Sequence, residues 1–310
     1  MSAPDLEQRL RALGVGLVIH TAGPYQEQGY DVARAAAAAG VHYIDLADGR
    51  RFVCDFPAAL DADFRRAGCI GISGASTVPA LSSAVVDALT VGWRSITSID
   101  SCIAPAQTAP RGVATMAAVL GYCGAPIAVW KDGRWESQFG WSAPQRVKFA
   151  RLRPRVGSLC DIPDLELFPT HYTGVQSVMF RAALEVALGQ YAMAFVGMLR
   201  RMGVLQRPER LAGLLNRSAD GFDWLGSALG GMVLAVEGVD ASGAQVRRAW
   251  HIAADHDHGP EIPAMAAILL ARRIAEGRLT ETGAHTSMGW LSLADFEPEF
   301  ARWGMDTDIL

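Results

Sequence analysis

Three short apolar runs, Leu17–His20, His42–Leu46 and Cys69–Ser73, each end in small or polar residues, and a helical pattern separates each from the next. No other feature of the chain restricts its fold as much. Short runs without polar alternation read as strands covered on both faces, and a helix between consecutive strands makes them parallel. The spacing predicts one half of a doubly wound sheet. In such sheets a small ligand sits in the crevice beyond the carboxyl ends of the strands, here Thr21–Gln26, Asp45–Gly49 and Gly74–Pro79.

The flanking residues complete this half. Asp5–Leu13 has apolar residues at helical spacing with Gly14 placed to end it, and Gly29–Ala39 is an alanine-rich helix stopped at Gly40. A nucleotide-binding sheet ordinarily opens with a strand, a glycine-rich turn and a helix whose amino end holds a pyrophosphate. Nothing before residue 14 reads that way. Gly14-Val15-Gly16 precedes a strand instead of following one and lacks a third glycine. The fold class is therefore α/β: an incomplete, Rossmann-like doubly wound parallel sheet, followed by an α+β domain with a mostly antiparallel mixed sheet.

The texture changes after Gly92. Ser95–Ala104, Ile127–Trp130, Arg134–Phe139, Gln176–Leu184, Met232–Val239 and Gln245–Ala254 read as strands, and Asp132-Gly133 is a hairpin signal. Helices at Gly112–Tyr122 and Ile262–Ala275 interrupt them. The expected division is residues 1–92 as the parallel-sheet part and 93–310 as a separate α+β domain.

Several side chains at the strand ends have chemistry to offer. Gly23 lets a backbone approach a ligand and Pro24 fixes the turn, so Thr21, Ala22, Gly23, Pro24 and Tyr25 are candidates to line a cofactor, although a tight connection uses the same residues. Asp45 and Asp48 suit a substrate amine or a water, with Asp48 alternatively capping the helix that starts near Arg50. Tyr43 reads as core. Ser76 and Thr77 precede Pro79 at a helix start whose amides suit a carboxylate or phosphate.

Other classes recede. A net charge of -4 with scattered Lys and Arg gives no footprint for nucleic acid. Five cysteines without a C-x-x-C pair suit the cytoplasm. Val186–Leu199 is too short for a membrane span and reads as a core or dimer-interface helix. His251 lies at a strand end and His256 and His258 in the D-H-D-H turn that follows, with no second ligand group, so no metal is expected, and no serine sits in a G-x-S-x-G elbow.

Taken together, IHTAGPYQEQGYDVARAAAAAGVHYIDLADG, GASTVPALSSAVVD, CDIPDLELFP and GPEIPA resemble the saccharopine dehydrogenase-like oxidoreductases over most of the chain. The resemblance implies an NADP- or NAD-binding domain, present in part as residues 1–92, joined to a mixed-sheet domain, residues 93–310, that holds substrate and often mediates dimerisation, and hydride transfer involving an amino- or keto-acid-like small molecule. It implies that Thr21–Tyr25 lies beside the nicotinamide half of the cofactor with Gly74–Pro79 facing it. Asp45 and Asp48 match a recurrent motif of unassigned role, and no catalytic residue is named. Because the opening glycine-rich unit of that family is missing here, the expectation is an N-terminally truncated member. The alternative is a non-catalytic remnant or binding module that keeps the scaffold without binding dinucleotide.

Overall fold

A computed structural model describes residues 3–26, 28–110 and 112–310. The chain divides into two compact units, Met1–Ala84 with Ile262–Phe296, and Val85–Glu261 with Glu297–Leu310.

The first unit is built on four parallel strands, Leu17–His20, His42–Asp45, Ile70–Ser73 and Gly283–Thr286, adjacent in that order. Side chains alternate between the faces of a strand, which decides which helix each residue meets. Tyr43, fully buried, joins a cluster with Ala33, Ala36, Phe56, Leu60 and Phe64 from the helices Asp31–Ala39 and Arg50–Ala67. The buried Ile44 faces the other way, and the Ile262–Ala275 helix packs on that strand. Small alanines let the Asp31–Ala39 helix lie close to the sheet, and Gly40 ends it in the left-handed conformation (φ 75°). Gly71 is needed for a different reason: a Cβ there would stand 2.6 Å from the Phe64 ring.

Where the sequence reading crosses from one domain to the next at residue 92, the contacts return a later stretch, 262–296, to the parallel unit, and its strand Gly283–Thr286 pairs with Ile70–Ser73. No local pattern announces this, because the pairing joins residues about two hundred positions apart.

A nine-stranded mixed sheet organises the second unit. Its spine is the hairpin Gly230–Val239 and Gln245–Ala254, flanked by Ser95–Ala104 on one side and Asp306–Ile309 on the other. Ser95–Ala104 and Ser177–Ala182 are its parallel pair, and the other paired strands run antiparallel. The Asp132-Gly133 signal is realised with both residues at positive φ, 50° and 73°, between Pro126–Lys131 and Arg134–Phe139.

Candidate functional site at the strand ends

The carboxyl ends of the parallel strands are laced to one another. His20 O accepts from Leu46 N (3.3 Å), Asp45 O from Ala75 N (2.8 Å), and Ser73 O from Ser287 N (2.8 Å). The three loops expected to border a ligand therefore lie side by side, joined by a fourth after Thr286. That fourth loop adds Ser287, fully buried, whose hydroxyl donates to Gly74 O (2.6 Å).

In the first loop, Thr21, Ala22, Gly23 and Pro24 are exposed, while Tyr25 is buried. Tyr25 turns inward because its hydroxyl donates to His20 O (2.7 Å) and its ring packs edge-on to His20 and against Phe52. The Gln28 amide holds the loop from outside through the carbonyls of Ala22 (2.7 Å) and Pro24 (2.8 Å). Gly23 has no positive φ, and among the described residues a Cβ there would meet Tyr25, its ring at 3.6 Å and its backbone N at 4.0 Å, both ordinary contacts. The fold makes no demand for glycine at this position. Gly74 differs, with φ +77° and a Cβ that would lie 2.9 Å from Pro79.

Asp45 is fully enclosed. Its Oδ1 accepts from Gly74 N (2.8 Å), Ala47 N (3.0 Å) and Ser73 Oγ (3.0 Å), so one carboxylate oxygen ties the end of its own strand to the next. Oδ2 is buried and, among the described residues, has no partner at hydrogen-bond geometry, the Tyr43 hydroxyl being near enough to favour the charged form. Burial raises its pKa to about 6, and the donors of Gly74, Ala47 and Ser73 oppose that rise.

Asp48 does not cap the helix at Arg50. Gly49 occupies the N-cap without a side-chain bond, and the exposed Asp48, one residue too early for that role, accepts from Gln26 Nε2 (3.2 Å) instead. That bond brings Asp48 beside the 21–26 loop. Ser76 and Thr77 are 7% exposed and lead into a turn at Thr77–Leu81 in which Val78 stays extended (φ -126°, ψ 128°). A regular helix start at Thr77 is thus displaced toward Pro79, whose missing N–H suits a first helical position.

His20 was not singled out from sequence, because it closes an apolar run. It is half-buried, its Nδ1 shares a hydrogen bond with the Tyr43 hydroxyl (2.9 Å), and burial lowers its pKa, leaving a neutral imidazole at pH 7. A histidine at the carboxyl end of a parallel strand is itself a positional signal. The Tyr43 phenol is pushed strongly upward by burial and stays protonated.

Two of the histidines of the 251–258 stretch are engaged elsewhere. His251 Nδ1 accepts from Ala150 N (3.2 Å), and a His258 ring nitrogen meets Trp303 O (2.9 Å). Among the described residues, no three or more His, Cys, Asp or Glu side chains gather as metal ligands. No helix among them is long and apolar enough to cross a membrane.

No family profile matches the sequence, and no curated protein matches it. Solved structures do match. Apo saccharopine dehydrogenase (L-Glu forming) from Saccharomyces cerevisiae aligns with 99% of this chain and 87% of its own at a TM-score of 0.63 and 11% identity. The C. glutamicum DAP dehydrogenase in complex with DAP covers 96% of this chain and 85% of its own, at 0.44 and 12%. An engineered D-amino acid dehydrogenase bound to NADP+ covers the same shares, at 0.44 and 13%. The chain has a saccharopine dehydrogenase-like, α/β fold in which a parallel sheet is combined with a mixed, mostly antiparallel one.

Proposed function

We propose that this chain is an NAD(P)-dependent oxidoreductase acting on an amino- or keto-acid-like small molecule in the cytoplasm, with the nicotinamide half of the cofactor lying at the end of its first parallel strand. Gly23 carries the proposal: a surface glycine that neither φ nor packing requires, in the loop beyond the first parallel strand, leaves the backbone open to close approach by a flat ring or ribose. The substrate class rests on the resemblance and on the fold shared with the yeast saccharopine dehydrogenase.

The fit to a dinucleotide is divided. Thr21–Tyr25 suits the nicotinamide half. For the pyrophosphate, the described residues offer no strand, glycine-rich turn and helix in succession. The helix after the first strand begins only at Asp31, with that carboxylate in its first turn, where it would repel an anion. A bound nicotinamide cofactor would supply the hydride chemistry. This chain's residues would bind and orient: Asp48 accepts hydrogen bonds at the loop edge, Ser76 and Thr77 border the third strand end, and Asp45 sets the spacing between strand ends from within. His20, neutral and half-exposed, is the group placed to exchange a proton there.

NADPH titration of the purified protein, read as energy transfer from its tryptophans, tests this. Saturable transfer that Gly23→Leu abolishes, with unchanged circular dichroism, is expected. No transfer at millimolar NADPH overturns the proposal and leaves the second reading, a binding module without dinucleotide, which the acidic first turn of the Asp31–Ala39 helix favours.

A further inference from the structure

The Ala187–Arg201 helix buries Gln190, Met193, Val196 and Gly197. Gln190 locks that face by donating to Ser158 Oγ (2.8 Å) and accepting from Leu184 N (3.0 Å), and Gly197 packs against Gly124. The opposite face is apolar and open: Leu188 is 58% exposed, Tyr191 60%, Phe195 55%, Met198 45% and Met202 66%. Such a stripe is larger than the scattered exposed apolar residues of an ordinary surface and marks an interaction site.

We propose that this stripe pairs with the same helix of a second copy, antiparallel, across a two-fold axis at Phe195. Reversing the helix about Phe195 places Leu188 opposite Met202, Tyr191 opposite Leu199 and the small, exposed Ala192 opposite Met198, so that each pair is apolar and Ala192 leaves room for the long Met198 side chain. Self-complementarity of this kind is what an isologous interface demands of a single surface. At these exposures the stripe offers about 600 Å² per copy, close to the roughly 800 Å² per partner of a stable interface, which the surrounding rim can complete.

Charge also selects a protein partner over a lipid surface. Residues 187–199 carry no charge, so two copies meet without repulsion. A helix lying on a membrane displays Lys and Arg beside its apolar face. Here Arg200 Nη1 is bound to Gly121 O (2.6 Å) and the Arg201 guanidinium lies over the Phe139 ring (4.2 Å to its centre), so both basic groups turn back onto their own subunit.

Sedimentation velocity of the full chain at tens of micromolar should give twice 33.1 kDa, and Phe195→Glu, which sets two carboxylates face to face on the axis, should return it to the monomer mass with unchanged circular dichroism. Phe195→Cys should form a disulfide-linked dimer under mild oxidation that wild type does not; if Phe195→Glu unfolds, this variant decides. A wild-type monomer, a dimer indifferent to Phe195→Glu, or no cross-link with Phe195→Cys overturns the proposal. A monomer that floats with phosphatidylcholine–phosphatidylserine vesicles overturns it in favour of a lipid surface.

Discussion

Two strands of the same parallel sheet, Leu17–His20 and Ile70–Ser73, are equally short and similarly apolar, yet they occupy very different environments. All four residues of Ile70–Ser73 are buried between strands on both sides. In Leu17–His20 none is fully buried, Ile19 is 44% exposed, and among the described residues only His42–Asp45 pairs with it. A strand's burial is therefore decided by its neighbours. The edge strand keeps its polar terminus, His20, within reach of solvent, whereas the inner strand contributes Ser73 to a closed network around Asp45. One edge thus holds an accessible loop, and the sheet interior holds the frame that positions it.

Matched substitutions test that contrast most directly. Ile72→Ala, at a fully buried position, should cost about 3 kcal/mol in urea unfolding, and Ile19→Ala less than about 1 kcal/mol. Equal losses would mean that the edge strand is covered in solution.

Asp45 gives an effect of similar size with a pH signature. Its folded pKa, about 6, lies above the reference value of 3.8, so the folded state holds the proton more tightly than the unfolded state. The contribution is fully present below pH 3.8 and is lost as pH rises through about 6, up to the order of 3 kcal/mol. Asp45→Asn should therefore gain stability relative to wild type between pH 4 and pH 7. A difference that is constant with pH would show that Asp45 is ionised throughout this range. Asp45→Ala, which strands the donors of Ala47, Ser73 and Gly74, should lose about 2–4 kcal/mol in the same assay.

The two glycines sharpen the comparison at smaller scale. Gly71→Ala, forced against Phe64, should cost about 2 kcal/mol. Gly23→Ala should change stability by no more than about 0.5 kcal/mol while weakening NADPH binding. A large stability loss at Gly23 would return that loop to a purely structural role.

Much of this architecture is legible because its signals are local. The three apolar runs are strands at Leu17–His20, His42–Asp45 and Ile70–Ser73, all parallel, and Ser95–Ala104, Arg134–Phe139, Gln245–Ala254 and Ile262–Ala275 fall where periodicity puts them. The candidate loops are legible for the same reason, since each follows a readable strand. Less visible are Gln145–Val147 and Arg155–Leu159, too short or too glycine-broken to show a period, and the helices Asp164–His171 and Leu293–Arg302, each with a proline inside. The cap expected of Asp48 failed by one residue of register, a displacement that composition does not encode.

Taken alone, the sequence determined the rhythm of strand and helix, the stops at Gly14 and Gly40 and the Asp132-Gly133 hairpin, because each depends on residues within a turn or two of one another. Only the tertiary structure decided that Gly283–Thr286 completes the parallel sheet, that Asp45 is enclosed, that His20 meets Tyr43, and that Phe195 faces outward. Those outcomes depend on which distant segment arrives alongside. A local pattern of apolar residues specifies that a surface needs covering and leaves open what will cover it.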